Sequence, residues 1–367
     1  MNNDKKNKFY GVNDDLWGHK WGFKDSSFII NNDNTVTFTG KRYEGISGER
    51  LPYLIPFVTK VLNTEIKKEP YFKEIEKKYV TERKINQDFL IDIESSFNED
   101  QISFSDDERV LHSHGQNSPD EVFKVLYDKL EKFTDIVVYV ENEEDVINLI
   151  QKAKKHNVCL VPYGGGTNVT NALQLPENEE RMIVSVDTRR LNKIISIDTK
   201  NLLIEVEAGI TGKHLEEELQ KKGFTVGHQP DSIELSTLGG WISTNAAGMK
   251  KNKYGNIEDI VQNVVMVTPN GTINQIKPLV RSSIGIKTQN LLFGSEGNIG
   301  IITKAVLKIH KLPECSDYES VVLKDWDTGL DFMYELAHSS SVPASARMLD
   351  SLHLSLIHIS EPTRLSA

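Results

Sequence analysis

The sequence predicts an α+β fold, built from small α/β units and hairpins rather than one doubly wound sheet. Three observations point there. A β-α-β unit occupies residues 135–161. Short apolar runs at 182–186, 194–197 and 202–208 then follow one another as strands. A hairpin at 263–276 and a long strand at 299–310 close the series.

Taken in order, residues 1–129 are a mixed, charged N-terminal region with Trp17 and Trp21 flanking a Gly-His-Lys. LPYLIPFVTKV (51–61) reads as a short apolar helix or an anchoring segment, and KKEPYFKEIEKKYVTERK (67–84) as a solvated helical face. DIVVYV (135–140) is a β-branched run bounded by charge, hence a strand. Asn142 is placed to cap the next helix, in which Val146, Leu149, Ile150 and Ala153 recur at helical spacing. Val158 to Val161 returns as a strand. Thr211 caps a helix with Leu215 and Leu219 on one face, and Gly223 ends it. In the hairpin, Pro269, Asn270 and Gly271 form the turn.

Composition excludes several classes. With 38% hydrophobic and 26% charged residues, the chain has the make-up of a soluble globular protein. A net charge of −10 argues against a general nucleic-acid binder, whose phosphate affinity comes from clustered Lys and Arg. The N-terminal MNNDKKNKFYG lacks the apolar core of a signal peptide. No stretch approaches the roughly 18 apolar residues of a spanning helix, so membrane contact is expected to be peripheral or through a tunnel. Cys159 and Cys315 have no metal-ligand spacing and read as small buried apolar residues with reduced thiols.

Three glycine-bearing stretches carry the chemistry. PYGGGTNVT (162–170) follows a strand, where open α/β sheets place ligands. It is not a Walker loop, because no Gly-Lys-Ser or Gly-Lys-Thr closes it. It is not GxGxxG, because the spacing differs and no periodic helix begins directly after it. Taken alone, it is as much a tight turn as a cradle of backbone N–H groups for a diphosphate. HQPDSIELSTLGGWISTNAAGMKKNKYGNIEDI (228–260) is dense in small residues, which let main chain lie against a flat ligand. GSEGNIGIIT (294–303) brings three more glycines ahead of a strand.

Together these stretches resemble the FAD-binding PCMH-type domain of the vanillyl-alcohol oxidase and p-cresol methylhydroxylase class. Within that class the chain is most similar to the alkyldihydroxyacetonephosphate (alkylglycerone-phosphate) synthase family. The similarity rests on VEAGITGKHLEEELQKKGFTVGHQPDS, GGWISTNAAGMKKNKYGNIEDIV and PASARMLD, with WGFKDSSFIINNDNTVTFTGKRY and DDERVLHSHGQ in the N-terminal region. The resemblance implies an FAD-binding domain over 130–312 made of two α/β subdomains. It also implies the start of a substrate-binding cap domain over 313–350.

The same resemblance implies site residues. Pro162, Tyr163, Gly164, Gly165, Gly166, Thr167 and Asn168 would form the pyrophosphate loop. Asp231, Ser232, Ile233, Glu234, Leu235, Ser236 and Thr237 would be a second FAD segment. Thr244, Asn245, Ala246 and Ala247 would lie along the flavin, with Asn245 and Ala247 standing where the family often has Arg and Ser. Glu296, Gly297, Asn298, Ile299, Gly300, Ile301 and Ile302 would hold the adenine side. His228 and Arg347 match positions important for activity in the family; their bland readings are a core histidine and a surface ion pair. No metal is implied. With no His or Cys in 164–170, the FAD is expected to be non-covalent and dissociable.

The implied reaction exchanges the acyl group of acyl-dihydroxyacetone phosphate for a long-chain fatty alcohol in ether-lipid biosynthesis. FAD serves without net redox turnover. The implied setting is a peroxisomal homodimer. An FAD-linked oxidase or dehydrogenase of a 2-hydroxy acid (D-lactate or glycolate) shares the fold, and a non-catalytic flavin-binding fragment is a further alternative. After Asp350 the family pattern stops, and residues 351–367 read as a non-native, adapter-like tail. This chain is therefore expected to be an inactive fragment that lacks the family's catalytic tyrosine, phosphate-binding arginine and histidine-rich segment.

Overall fold

Asparagine and threonine caps, more than any single apolar run, mark where the elements begin in the computed structural model. It describes residues 16–17, 20–41, 47–67, 80–274, 283, 285 and 288–353. Residues 68–79 of the expected charged helix, 275–276 of the hairpin and 354–367 of the expected tail lie outside the described residues.

In the N-terminal region β1 (Ser27–Ile30), β2 (Val36–Thr39) and β3 (Arg50–Leu51) form a small antiparallel sheet. The apolar run becomes α1 (Leu54–Leu62), none of whose residues is buried. Among the described residues no helix is long and apolar enough to cross a membrane. α2 (Gln87–Glu94), capped by the Asn86 side chain, turns Phe89 and Ile93 into the core. β4 (Ile102–Ser103), α3 (Asp106–Leu111) and α4 (Pro119–Leu126) lead into the first main sheet.

The predicted β-α-β unit is β5 (Ile136–Tyr139), α5 (Glu143–His156) and β6 (Cys159–Tyr163). The Asn142 side chain accepts from the Asp145 N–H, and Val146, Leu149, Ile150 and Ala153 are the buried face of α5. Burying each of the three larger side chains contributes about 1.5–3 kcal/mol, against about 1 kcal/mol for the cap. Packing therefore holds the helix, and the cap sets where it starts. β7 (Ile183–Asp187) lies between the two strands of the unit, parallel to both, in the order β4-β5-β7-β6. Every residue of β7 is buried, as suits a central parallel strand.

The second half is antiparallel. It runs β8 (Ile194–Asp198), β9 (Leu203–Glu207), α6 (Gly212–Gln220), β10 (Phe224–Thr225), α7 (Leu238–Ser243), α8 (Lys251–Tyr254) and α9 (Ile257–Ile260). Then come β11 (Val261–Thr268), β12 (Gly271–Ile273), β13 (Ile301–Lys308), β14 (His310–Lys311) and α10 (Trp326–His338). Its sheet has the order β12-β11-β13-β9-β8. Thr211 caps α6, Leu215 and Leu219 are its buried face, and Gly223 takes a positive φ of 79° just beyond it. Each half has its own apolar core, and Val267 and Ile301 of the second sheet pack into the core of the first. The fold is thus α+β, as predicted. One detail differs: Cys159 is half-buried because β6 is an edge strand, and Cys315, beyond β14, is exposed.

Candidate functional site

The three glycine-bearing stretches meet in one cleft of about 370 Å³. All of Pro162 to Asn168 line it, with Ser232, Ser236 and Thr237 from the second stretch and Thr244 to Ala247 after α7. Glu296, Gly297, Gly300, Ile301 and Ile302 complete the lining from the third. Six of the expected cofactor residues lie elsewhere. Asn298 and Ile299 line a neighbouring cavity of about 500 Å³ that shares Pro162 and Gly297 with the cleft. Asp231 and Glu234 are exposed, and Ile233 packs against the second core. Leu235 presents its carbonyl to the glycine loop. Gly239, Gly240, Trp241 and Thr188 also line the cleft, although the sequence did not single them out.

The bareness of the loop has a cause inside the protein. A Cβ added to Gly165 would stand 2.0 Å from the Leu235 carbonyl oxygen, and one on Gly164 would stand 2.5 Å from Thr237 Oγ1. Gly166 has φ +67°, the left-handed region, and its missing Cβ faces the Tyr163 hydroxyl at 2.6 Å. The first and second stretches therefore touch through glycine main chain. Thr237 also caps α7, its hydroxyl accepting from the Gly240 N–H at 3.2 Å.

The loop's amides are left over. The Tyr163 carbonyl accepts from the Thr188 N–H at 3.0 Å and from the Thr188 hydroxyl at 3.1 Å. In a trans peptide N–H and C=O point opposite ways, so the Gly164 N–H faces away from Thr188. Among the described residues, no backbone N–H from Gly164 to Thr170 donates to a protein acceptor. A run of unpaired amides on a cleft wall, the first three of them on glycines, suits an anion such as a diphosphate.

Beneath the loop lies a buried charged layer that sequence reasoning missed. Asp187, at the end of β7, accepts from Arg189 Nε at 3.0 Å and from Arg189 Nη2, and meets His112 Nε2 at 2.9 Å. His112 Nδ1 lies 2.7 Å from the Glu108 carbonyl. Burial alone would raise the Asp187 carboxyl; the Arg189 guanidinium and His112 overcome it and hold it well below the usual carboxylate range. The Tyr163 ring fits against this layer, 4.3 Å from the His112 ring and 5.0 Å from the Arg189 guanidinium. The available signal was Asp-Thr-Arg closing the mostly apolar run MIVSV.

His228 does not line the cleft. It is 1% exposed, packs edge-on against Trp241 with ring centroids 4.7 Å apart, and neither ring nitrogen has a protein partner. Burial lowers its pKa to about 4, so the ring is neutral at pH 7. Arg347 is 3.4 Å from Asp231, both side chains exposed, outside the cleft.

A family model described as an FAD binding domain matches residues 134–277. An alkyldihydroxyacetonephosphate synthase of Caenorhabditis elegans is 40% identical over 332 residues, 90% of this chain and 55% of that protein. A solved alkyldihydroxyacetonephosphate synthase structure superposes with a TM-score of 0.73 at 33% identity, covering 82% of this chain and 55% of that one. A mitochondrial D-lactate dehydrogenase [cytochrome] of Arabidopsis thaliana is 28% identical over 219 residues, 59% of this chain and 36% of that protein. The chain spans about half the length of the synthases it matches.

Proposed function

We propose, from the premise that the chain is a homologue of the alkyldihydroxyacetonephosphate synthases and carries an FAD-binding domain, that it is the cofactor-holding part of such an enzyme. The whole protein exchanges the acyl group of acyl-dihydroxyacetone phosphate for a long-chain fatty alcohol and so makes the ether bond of ether lipids. The supporting observation is the reach of the likeness. It extends over 90% of the chain, far beyond the matched domain, which alone would be equally at home in a 2-hydroxy-acid enzyme.

The residues present fit FAD. The backbone amides of Gly164, Thr167 and Asn168, which donate to no protein acceptor, would hold the diphosphate, with the Thr167 hydroxyl beside them. Gly240, Ala246 and Ala247 leave room for main chain to lie along a flat ring. Bound FAD supplies an electron sink for carbon chemistry. Trp241 lines the cleft and packs edge-on against the neutral His228, which does not line it. No His or Cys in 164–170 offers a covalent attachment, so the flavin is dissociable.

The reading extends to a peroxisomal, homodimeric enzyme whose lipid contact is peripheral. Incubating the whole-length protein with acyl-dihydroxyacetone phosphate and hexadecanol tests the reaction. Ether product formed without an electron acceptor supports it. Acceptor-dependent oxidation of D-lactate or glycolate, with no ether product, overturns it.

A further inference from the structure

The back of the glycine loop is held by a segment outside the matched FAD-binding domain. Gln116 uses both faces of its main chain there. Its N–H donates to the Gly166 carbonyl at 2.6 Å, and its own carbonyl accepts from the Trp21 indole N–H at 2.7 Å. Next to it, Asn117 Nδ2 donates to the Thr167 carbonyl at 3.1 Å. The turn is fixed from its other side by Glu121, which accepts from the Gly115 N–H at 2.7 Å. The fit is close, since a Cβ on Gly115 would meet Glu121 Oε2 at 2.5 Å and Asn168 Nδ2 at 3.3 Å.

The geometry of the peptide group turns these contacts into a device. The Gly166 carbonyl shares its peptide with the Thr167 N–H, and the Thr167 carbonyl shares its peptide with the Asn168 N–H. Both peptides are trans, so pulling the two carbonyls onto the 115–117 turn aims the two amides the other way. Those amides donate to no protein group among the described residues. We infer that Gln116, Asn117 and Trp21 form a brace that pre-orients the Thr167 and Asn168 amides for the cofactor. The brace joins three parts of the chain separated by 95 and 50 residues. It makes the N-terminal region a contributor to cofactor affinity. These are positioning residues: they act through the loop and need not touch the ligand. The part of the inference that concerns FAD rests on the cofactor reading above.

Two variants test it. Trp21→Phe keeps an aromatic ring but removes the indole N–H together with part of the ring's bulk; Asn117→Ala removes the second tether. Each is expected to raise the Kd for FAD about two- to tenfold, the range for one lost hydrogen bond. ADP, which carries the diphosphate, is expected to weaken by the same factor. The melting temperature of the flavin-free protein is expected to stay unchanged, which separates positioning from plain destabilisation. A second readout needs no flavin: exchange of the Gln116 amide, measured on the flavin-free chain, is expected to speed up in Trp21→Phe. Unchanged affinities in both variants overturn the brace, as does an affinity loss matched by a fall in melting temperature. Unchanged Gln116 exchange in Trp21→Phe also overturns it. If the wild-type chain takes up no FAD, the cofactor reading fails by itself, and the Gln116 exchange decides the brace alone.

Discussion

Two histidines, one behind each of two cleft aromatics, carry the same burial and opposite circumstances. His112 is 0% exposed and His228 1%. His112 backs Tyr163, with one ring nitrogen 2.7 Å from the Glu108 carbonyl and the other 2.9 Å from Asp187. His228 backs Trp241 and neither of its nitrogens has a protein partner. A buried polar group without a partner costs about 1–3 kcal/mol. The first histidine belongs to a satisfied charged layer that supports the loop. The second has no partner for either ring nitrogen and is kept at a stability cost.

The largest effect tests the satisfied side. Asp187→Ala leaves the Arg189 guanidinium buried without its carboxylate and His112 Nε2 without the same carboxylate. Breaking such a pair is expected to cost about 3–5 kcal/mol in chemical denaturation, more than any other change considered. Gly165→Ala is next. Its methyl group meets main chain at 2.0 Å, so loop and 235–237 segment must part. A loss of about 1–3 kcal/mol is expected, and FAD titration should register a weakening of more than about tenfold.

His228→Leu addresses the unsatisfied side and carries the opposite sign. Denaturation at pH 7 is expected to show a gain of about 1 kcal/mol. The pH dependence follows from the burial-lowered pKa of about 4 against an ordinary 6.5. Between those values the unfolded chain binds the proton and the folded chain does not, so stability falls as pH drops from 6.5 towards 4. Above 6.5 the contribution is constant. His228→Leu is expected to flatten this slope; an unchanged slope would mean that other groups produce it. Thr237→Ala, which removes the cap of α7, is expected to have an effect of the same size and opposite sign, a cost of about 1 kcal/mol in the same denaturation experiment.

Much of this was legible in the residues. Asn142 with Val146, Leu149, Ile150 and Ala153 announces α5, and Pro269-Asn270-Gly271 announces the hairpin of β11 and β12. Local chemistry sets both. The insertion of β7 between β5 and β6 was not legible, because strand order is decided by long-range burial that no short window contains. α7 was hidden by Gly239 and Gly240, which have low helix propensity; the Thr237 side chain that caps it is seen only in the structure. At the site, the glycine loop could be found by its composition. The Asp187 layer could not, since it needs His112 from 75 residues away. The reason for Gly165 was also invisible: spacing suggests room for a ligand, whereas the nearest obstacle is the Leu235 carbonyl.

The central claim is that unpaired amides of the glycine loop hold the diphosphate of FAD. Titrating the flavin-free chain with FAD and with riboflavin tests it most directly, since riboflavin has the ring and no phosphate. The account predicts that FAD binds at least about a hundredfold more tightly, consistent with two or more charge-assisted hydrogen bonds. It also predicts that the bound FAD is released by acid or denaturant. Equal affinity for the two flavins would contradict the account.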